Sequence, residues 1–123
     1  MDNNHNFEKL DIPLLTILFV IYESAHKMIF SLPKFERYTL GEKMENAVLS
    51  AMEFTIMANS ASKLEKERIL SQINAKIELL KILYRLALNC QMIDSWEYLE
   101  IEKNLQEAGR QAMGWLKYER NSK

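Results

Sequence analysis

Apolar residues recur along this chain in steps of four and three, the spacing of one face of an α-helix. The first line is Leu14, Leu18, Ile21, Ala25, Met28 and Leu32, with Leu15, Phe19, Tyr22 and Ile29 forming a second line beside it. Two apolar lines on one helix predict burial on more than one side. That suits a bundle whose subunits also pack against each other, although core burial alone would produce the same pattern. The next line is Met44, Ala47, Val48, Ala51, Phe54, Thr55 and Ala58. A third runs Leu70, Ile73, Ile77, Leu80, Tyr84 and Ala87, and a fourth runs Tyr98, Ile101, Leu105, Ala108, Ala112 and Trp115. The pattern predicts helices over about 11–31, 40–59, 63–89 and 95–118. Four-three steps are also the signature of helices that pack nearly parallel or antiparallel.

The breaks carry their own chemistry. Thr39-Leu40-Gly41-Glu42 and Ser62-Lys63-Leu64-Glu65 read as capping boxes, in which a hydroxyl takes an unsatisfied N–H and the glutamate reaches back. Asp94-Ser95-Trp96-Glu97 is a variant with aspartate at the cap. Pro33 ends the first helix, because the residue before a proline is pushed out of the α region. Short connections make successive helices antiparallel neighbours. The predicted fold class is therefore all-α: an antiparallel up-down four-helix bundle, a single domain over 1–123, with loose ends at 1–8 and 121–123. Gly109 and Gly114 interrupt the fourth helix, where each costs about 1 kcal/mol relative to alanine. Beside Ala108 and Ala112 they predict close approach of another helix, from the same chain or from a second copy.

Composition narrows the class further. Apolar residues make up 48% of the 123 positions, enough for one core. Three glycines and two prolines are too few turn formers for a sandwich or barrel. A lone cysteine, Cys90, excludes an internal disulfide and fits a reducing, cytoplasmic setting. The most apolar run, Ile12 to Tyr22, falls short of the ~20 residues a membrane span needs. The polar start, Met1 to Asn6, lacks the basic then apolar order of a leader.

Enzyme constellations are missing. Scattered glycines make no phosphate loop, and one cysteine with two histidines makes no zinc site. Glu23 and His26 have the Glu-x-x-His spacing of di-iron bundles, but the second motif such a site needs is absent, and the only other histidine is His5 in the tail. Neither enzymatic activity nor a metal or cofactor is expected.

Net charge is -1, which excludes coating of nucleic acid by overall charge but permits a local basic face. Residues 60–93 concentrate six cations, Lys63, Lys66, Arg68, Lys76, Lys81 and Arg85, against three glutamates. Lys81 and Arg85, four apart, share a helix face. The first connection places Lys34 and Arg37 beside Phe35 and Tyr38, groups that can hold phosphates and stack bases. An ordinary solvated surface has the same composition, and Glu78 with Lys81 and Glu107 with Arg110 have the spacing of solvated helix pairs.

Four stretches, in order, resemble one family. Leu32-Pro33-Lys34-Phe35-Glu36-Arg37-Tyr38-Thr39-Leu40-Gly41 resembles the signature loop of the Avd family, the accessory variability determinants of diversity-generating retroelements. Leu79-Leu80-Lys81-Ile82-Leu83-Tyr84-Arg85-Leu86-Ala87 is similar to its third-helix motif. Tyr98-Leu99 is similar to the start of its fourth helix, and Gly109-Arg110-Gln111-Ala112-Met113-Gly114-Trp115-Leu116-Lys117 to its closing motif. The resemblance implies a four-helix bundle assembled into a five-fold, ring-like homo-oligomer without catalytic activity. It implies reverse transcriptase, template RNA and cDNA as partners in mutagenic retrohoming. By position in the matching motifs, Lys34, Arg37, Lys43, Lys81, Arg85, Arg110 and Lys117 become candidates for nucleic-acid or partner binding. For Arg85 and Arg110 the alternative is partial burial in ion pairs with Glu42, Glu45 or Glu53.

The chain departs from the family in charge, since members are often clearly basic. A symmetric ring restores some concentration by repeating each basic patch around its axis. The alternative reading is a homo-oligomeric interaction protein of the type encoded in ribosomal-RNA intervening sequences. That sister family carries an Arg-Arg-Ala…Asn-Ile-Ala-Glu-Gly stretch in its second helix. Here the corresponding segment is Asn46-Ala47-Val48-Leu49-Ser50-Ala51-Met52, followed by Met57-Ala58-Asn59-Ser60, without that motif.

Overall fold

The computed structural model describes residues 12–122. Four long helices follow one another: α1 (Pro13–Phe30), α2 (Glu42–Ser60), α3 (Lys63–Asn89) and α4 (Ser95–Asn121). α1 packs on α2 and α4, and α3 also packs on α2 and α4, so each helix has two neighbours around a shared core. This is the all-α, up-down bundle that the periodicity predicts.

The predicted core lines are the observed ones. Leu14, Leu18, Ile21, Ala25, Met28 and Leu32 are all buried, as are Leu70, Ile73, Ile77, Leu80, Tyr84 and Ala87. On α2 every predicted position is buried except Phe54, and on α4 every one except Tyr98 and Trp115; these three pack partly buried against the core. Thr55, a polar group in this core, donates its hydroxyl to the Ala51 carbonyl at 2.7 Å and so is satisfied. The second line of α1 divides: Leu15 and Ile29 are buried, but Tyr22 is half-buried and Phe19 lies at the surface. The apolar run of α1 reads in sequence as short of a membrane span; in the structure α1 is, among the described residues, the one helix long and apolar enough to cross a membrane, and seven of its residues are buried in the bundle.

Helix ends show which local signals hold. Pro13 occupies the first turn of α1, where its missing N–H costs nothing. Asp94 makes a complete capping box, accepting from the Glu97 N–H at 2.8 Å while Glu97 accepts from the Asp94 N–H at 3.0 Å. Ser62 makes half of one, accepting from the Glu65 N–H at 3.4 Å. The box expected at Thr39–Glu42 does not form. The Thr39 hydroxyl points back instead, donating to the Phe35 and Glu36 carbonyls. The chain there runs through one short helical turn, Lys34–Glu36, and a wider π-type turn, Arg37–Gly41, that feeds straight into α2. No helix starts at Thr39, so no orphan N–H waits for its oxygen.

Gly41 fits this wide turn for a steric reason. A Cβ there would stand 3.1 Å from Ile29 Cγ2 and 3.2 Å from the Glu36 carbonyl oxygen. At the far connection, Gln91 takes a left-handed conformation with φ 62°, which glycine usually occupies. The Gln91 and Met92 N–H groups then return to the Leu88 and Ala87 carbonyls, closing α3. Both of these connections lie at the same end of the bundle.

Candidate nucleic-acid interface

Apart from Glu119, which is buried near the end of α4, the charged side chains of the described residues sit on outer helix faces because the stripe of apolar residues claims the inner ones. Between α3 and α4 the backbones leave an open groove of about 650 Å³. Its cations are Lys81, Lys103 and Arg110, and its carboxylates are Glu78 and Glu107. Two of the sequence-derived candidates, Lys81 and Arg110, therefore meet here. Lys103 was missed, although it precedes Arg110 by seven residues, two turns along the same face.

Gly109 shapes the groove. An added Cβ would lie 3.5 Å from Lys81 Nζ and 3.9 Å from Ile77 Cγ2, so the buried glycine gives the Lys81 ammonium room to lie along α4. Gly114, one turn further, would meet nothing within 4 Å. Among the described residues, only the first of the two glycines marks approach of another helix.

Each cation of the groove faces a carboxylate three residues earlier. Lys81 Nζ lies 3.2 Å from Glu78 Oε2, and Lys103 Nζ 3.9 Å from Glu100 Oε2. Arg110 donates twice to Glu107, at 3.0 and 2.5 Å, and the Gln111 amide donates to the same carboxylate at 2.8 Å. These bonds from Arg110 first, then from Gln111, hold the Glu107 carboxyl below the usual carboxylate range. Pairs of this kind on an open helix surface are weak and screened by salt, so a phosphate can compete for the same cations.

Arg85 is exposed and stacks on α4. Its Nε donates to the Tyr98 hydroxyl at 3.1 Å, and its guanidinium lies 5.5 Å from the Tyr98 ring centre. The expected alternative for Arg85 and Arg110, partial burial against Glu42, Glu45 or Glu53, is not what occurs. Those glutamates belong to α2, whereas Arg85 bonds to Tyr98 and Arg110 pairs with Glu107, both partners on α4, and both arginines are exposed.

The remaining candidates lie apart from the groove. Arg37 is half-buried and largely structural: its Nε and Nη2 donate to the Leu32 carbonyl at 3.3 and 3.2 Å, pinning the connection to the end of α1. Lys34 is exposed on the short turn, and Lys43 lines a cleft beside Tyr38. Lys117 is exposed on the last turns of α4, towards the opposite end. The basic excess of residues 60–93 is spread along the whole of α3. Lys63 reaches the Glu119 carbonyl, and Arg68 pairs with Glu65.

Among the described residues no group of three or more His, Cys, Asp and Glu side chains is placed to hold a metal ion. His26 is a surface residue, stacked between Tyr22 and Phe30 with Nδ1 3.6 Å from Glu45 Oε2. His5 lies outside the described residues.

Fold and surface together define an all-helical bundle that gathers Lys81, Lys103 and Arg110 in one open outer groove. A family model described as bAvd-like matches residues 18–119, and the chain belongs to that family. It is an Avd-type accessory protein, of a family that is not catalytic. No curated protein matches the chain.

Proposed function

We propose that this protein is the non-enzymatic accessory subunit of a diversity-generating retroelement. It works in the cytoplasm as a homo-oligomeric ring, five copies by the family resemblance, and binds the reverse transcriptase and its template RNA during mutagenic cDNA synthesis. The bAvd-like match carries this reading, because it spans the helices that hold the α3–α4 cations.

Two surface features support it. Lys81, Lys103 and Arg110 face one open groove and, among the described residues, form ion pairs only with neighbours on their own helices, so backbone phosphates can displace those pairs. Beside them α3 leaves Leu79, Ile82 and Leu86 exposed at helical spacing, and α4 leaves Trp96 and Leu99 exposed. An apolar face of that kind suits a protein contact, with the transcriptase or with another copy.

The test is the double variant Lys81→Glu with Arg85→Glu, assayed for binding of template-type RNA and of the transcriptase. Binding should weaken at least tenfold, on the order expected for lost phosphate contacts, while circular dichroism shows unchanged helicity. Loss of helicity would make the two residues structural and overturn the assignment.

A further inference from the structure

The groove between α1 and α2 holds chemistry that the basic groove does not use. Tyr22, His26 and Phe30 recur every four residues on α1, and their rings form a ladder. The Tyr22 and His26 centres are 5.9 Å apart with planes inclined by 23°, and the His26 and Phe30 centres 6.4 Å apart at 22°. Phe30, the last rung, is 72% exposed, with the Arg37 guanidinium 5.8 Å from its centre. Tyr38, on the π-type turn, is 64% exposed. Both rings line a cavity of about 380 Å³ together with Glu42 and Glu45. A second cavity of about 610 Å³ shares Tyr38, Glu42 and Asn46 and adds Lys43.

Exposed rings beside a hollow of this size are the setting in which an unpaired base stacks. The polar groups favour one base. Glu45 is already occupied, since it accepts the Tyr22 hydroxyl at 2.6 Å, and that bond is the main cause of the raised Tyr22 pKa. The Glu42 backbone N–H donates to the Thr39 carbonyl, but its carboxylate has no hydrogen bond or ion pair among the described residues. A free carboxylate is matched in two bonds by a base that presents two adjacent N–H donors. Guanine does so with N1–H and its 2-amino group. Adenine and cytosine set an acceptor beside their amino group, and uracil flanks its one donor with two acceptors. Lys43, exposed in the wall of the second cavity, supplies positive charge for a flanking phosphate.

We propose that the α1–α2 groove takes an unpaired guanine of single-stranded nucleic acid, stacked against Phe30 and Tyr38 and read by the Glu42 carboxylate. This rests on the nucleic-acid reading above but uses a different face of the bundle.

The test uses the full chain and two short fluorescent RNAs, one with a single guanine among uridines and one of uridines only, with structured template-type RNA in parallel. The guanine oligomer should bind about tenfold more tightly, the scale of one bidentate base contact. Glu42→Gln should abolish that preference. Phe30→Ala and, as an independent check, Tyr38→Leu should each weaken both oligomers about tenfold. Equal binding of the two oligomers, with structured RNA still bound, overturns the groove proposal alone. Failure of all three RNAs to bind removes the nucleic-acid reading with it. A changed particle mass for Phe30→Ala in light scattering would mark the groove as a seam between copies, which also overturns the proposal.

Discussion

Tyr84 lies in the core with 0% exposure, and its hydroxyl has no hydrogen-bond partner among the described residues. A buried hydroxyl left unpaired costs about 1–3 kcal/mol of desolvation. Tyr84→Phe removes that oxygen and keeps the ring that fills the site. Allowing for the small void left behind, stability should rise by about 1 kcal/mol. Urea denaturation followed by far-UV circular dichroism measures this at neutral pH. The same group gives a pH signature. Burial raises the Tyr84 phenol well above its ordinary pKa, so the folded protein keeps the proton at pH values where the unfolded chain loses it. The unfolded state then binds fewer protons, and stability falls as pH rises. Above about pH 10 the wild type should lose about 1.4 kcal/mol per pH unit relative to Tyr84→Phe. The reasoning is refuted if Tyr84→Phe is the less stable protein at neutral pH, or if both proteins lose stability in parallel above pH 10. The first result would mean the hydroxyl has a partner worth keeping, and the second that the phenol ionises in the folded protein as readily as in the unfolded chain.

Glycine substitutions separate steric need from mere presence. Gly41→Ala should lose about 1–2 kcal/mol, because the new methyl crowds the Glu36 carbonyl and Ile29, and a thermal melt should fall by several degrees. Gly114→Ala meets open space among the described residues and should gain about 0.5–1 kcal/mol of helix stability with no change of assembly mass. Loss of the assembly in that variant would place Gly114 against another copy.

Much of the bundle was legible because one period of four and three governs both the sequence and the packing. The same period misled at Phe19 and Tyr22. An apolar line on the flank of a helix has one spacing whether it is buried or left as an outer seam, so only the placement of α2 and α4 separates the cases. Thr39–Glu42 has the residue types of a capping box but lies inside a continuous turn, and a local motif carries no sign of the chain's path before it. The end of α3 had no marker, because Gln91 rather than glycine takes the left-handed position. In the basic groove, the sequence showed the pairing of Glu78 with Lys81 and of Glu107 with Arg110. It did not show that α3 and α4 bring Lys81 and Arg110 to one hollow, which depends on the register of two helices. Arg37 stood out beside aromatic residues, but its bonds to the Leu32 carbonyl are made by the fold of the connection.

The most direct measurement is binding of the purified protein to structured template-type RNA across a salt series. Three phosphate contacts from Lys81, Lys103 and Arg110 give a slope of log affinity against log salt of about -2 to -3 per copy, and a steeper one when copies in a ring engage together. A steep negative slope is the predicted result. Absence of binding at low salt, or a slope near zero, would mean the glutamates neutralise the groove and that the protein acts through protein contacts alone.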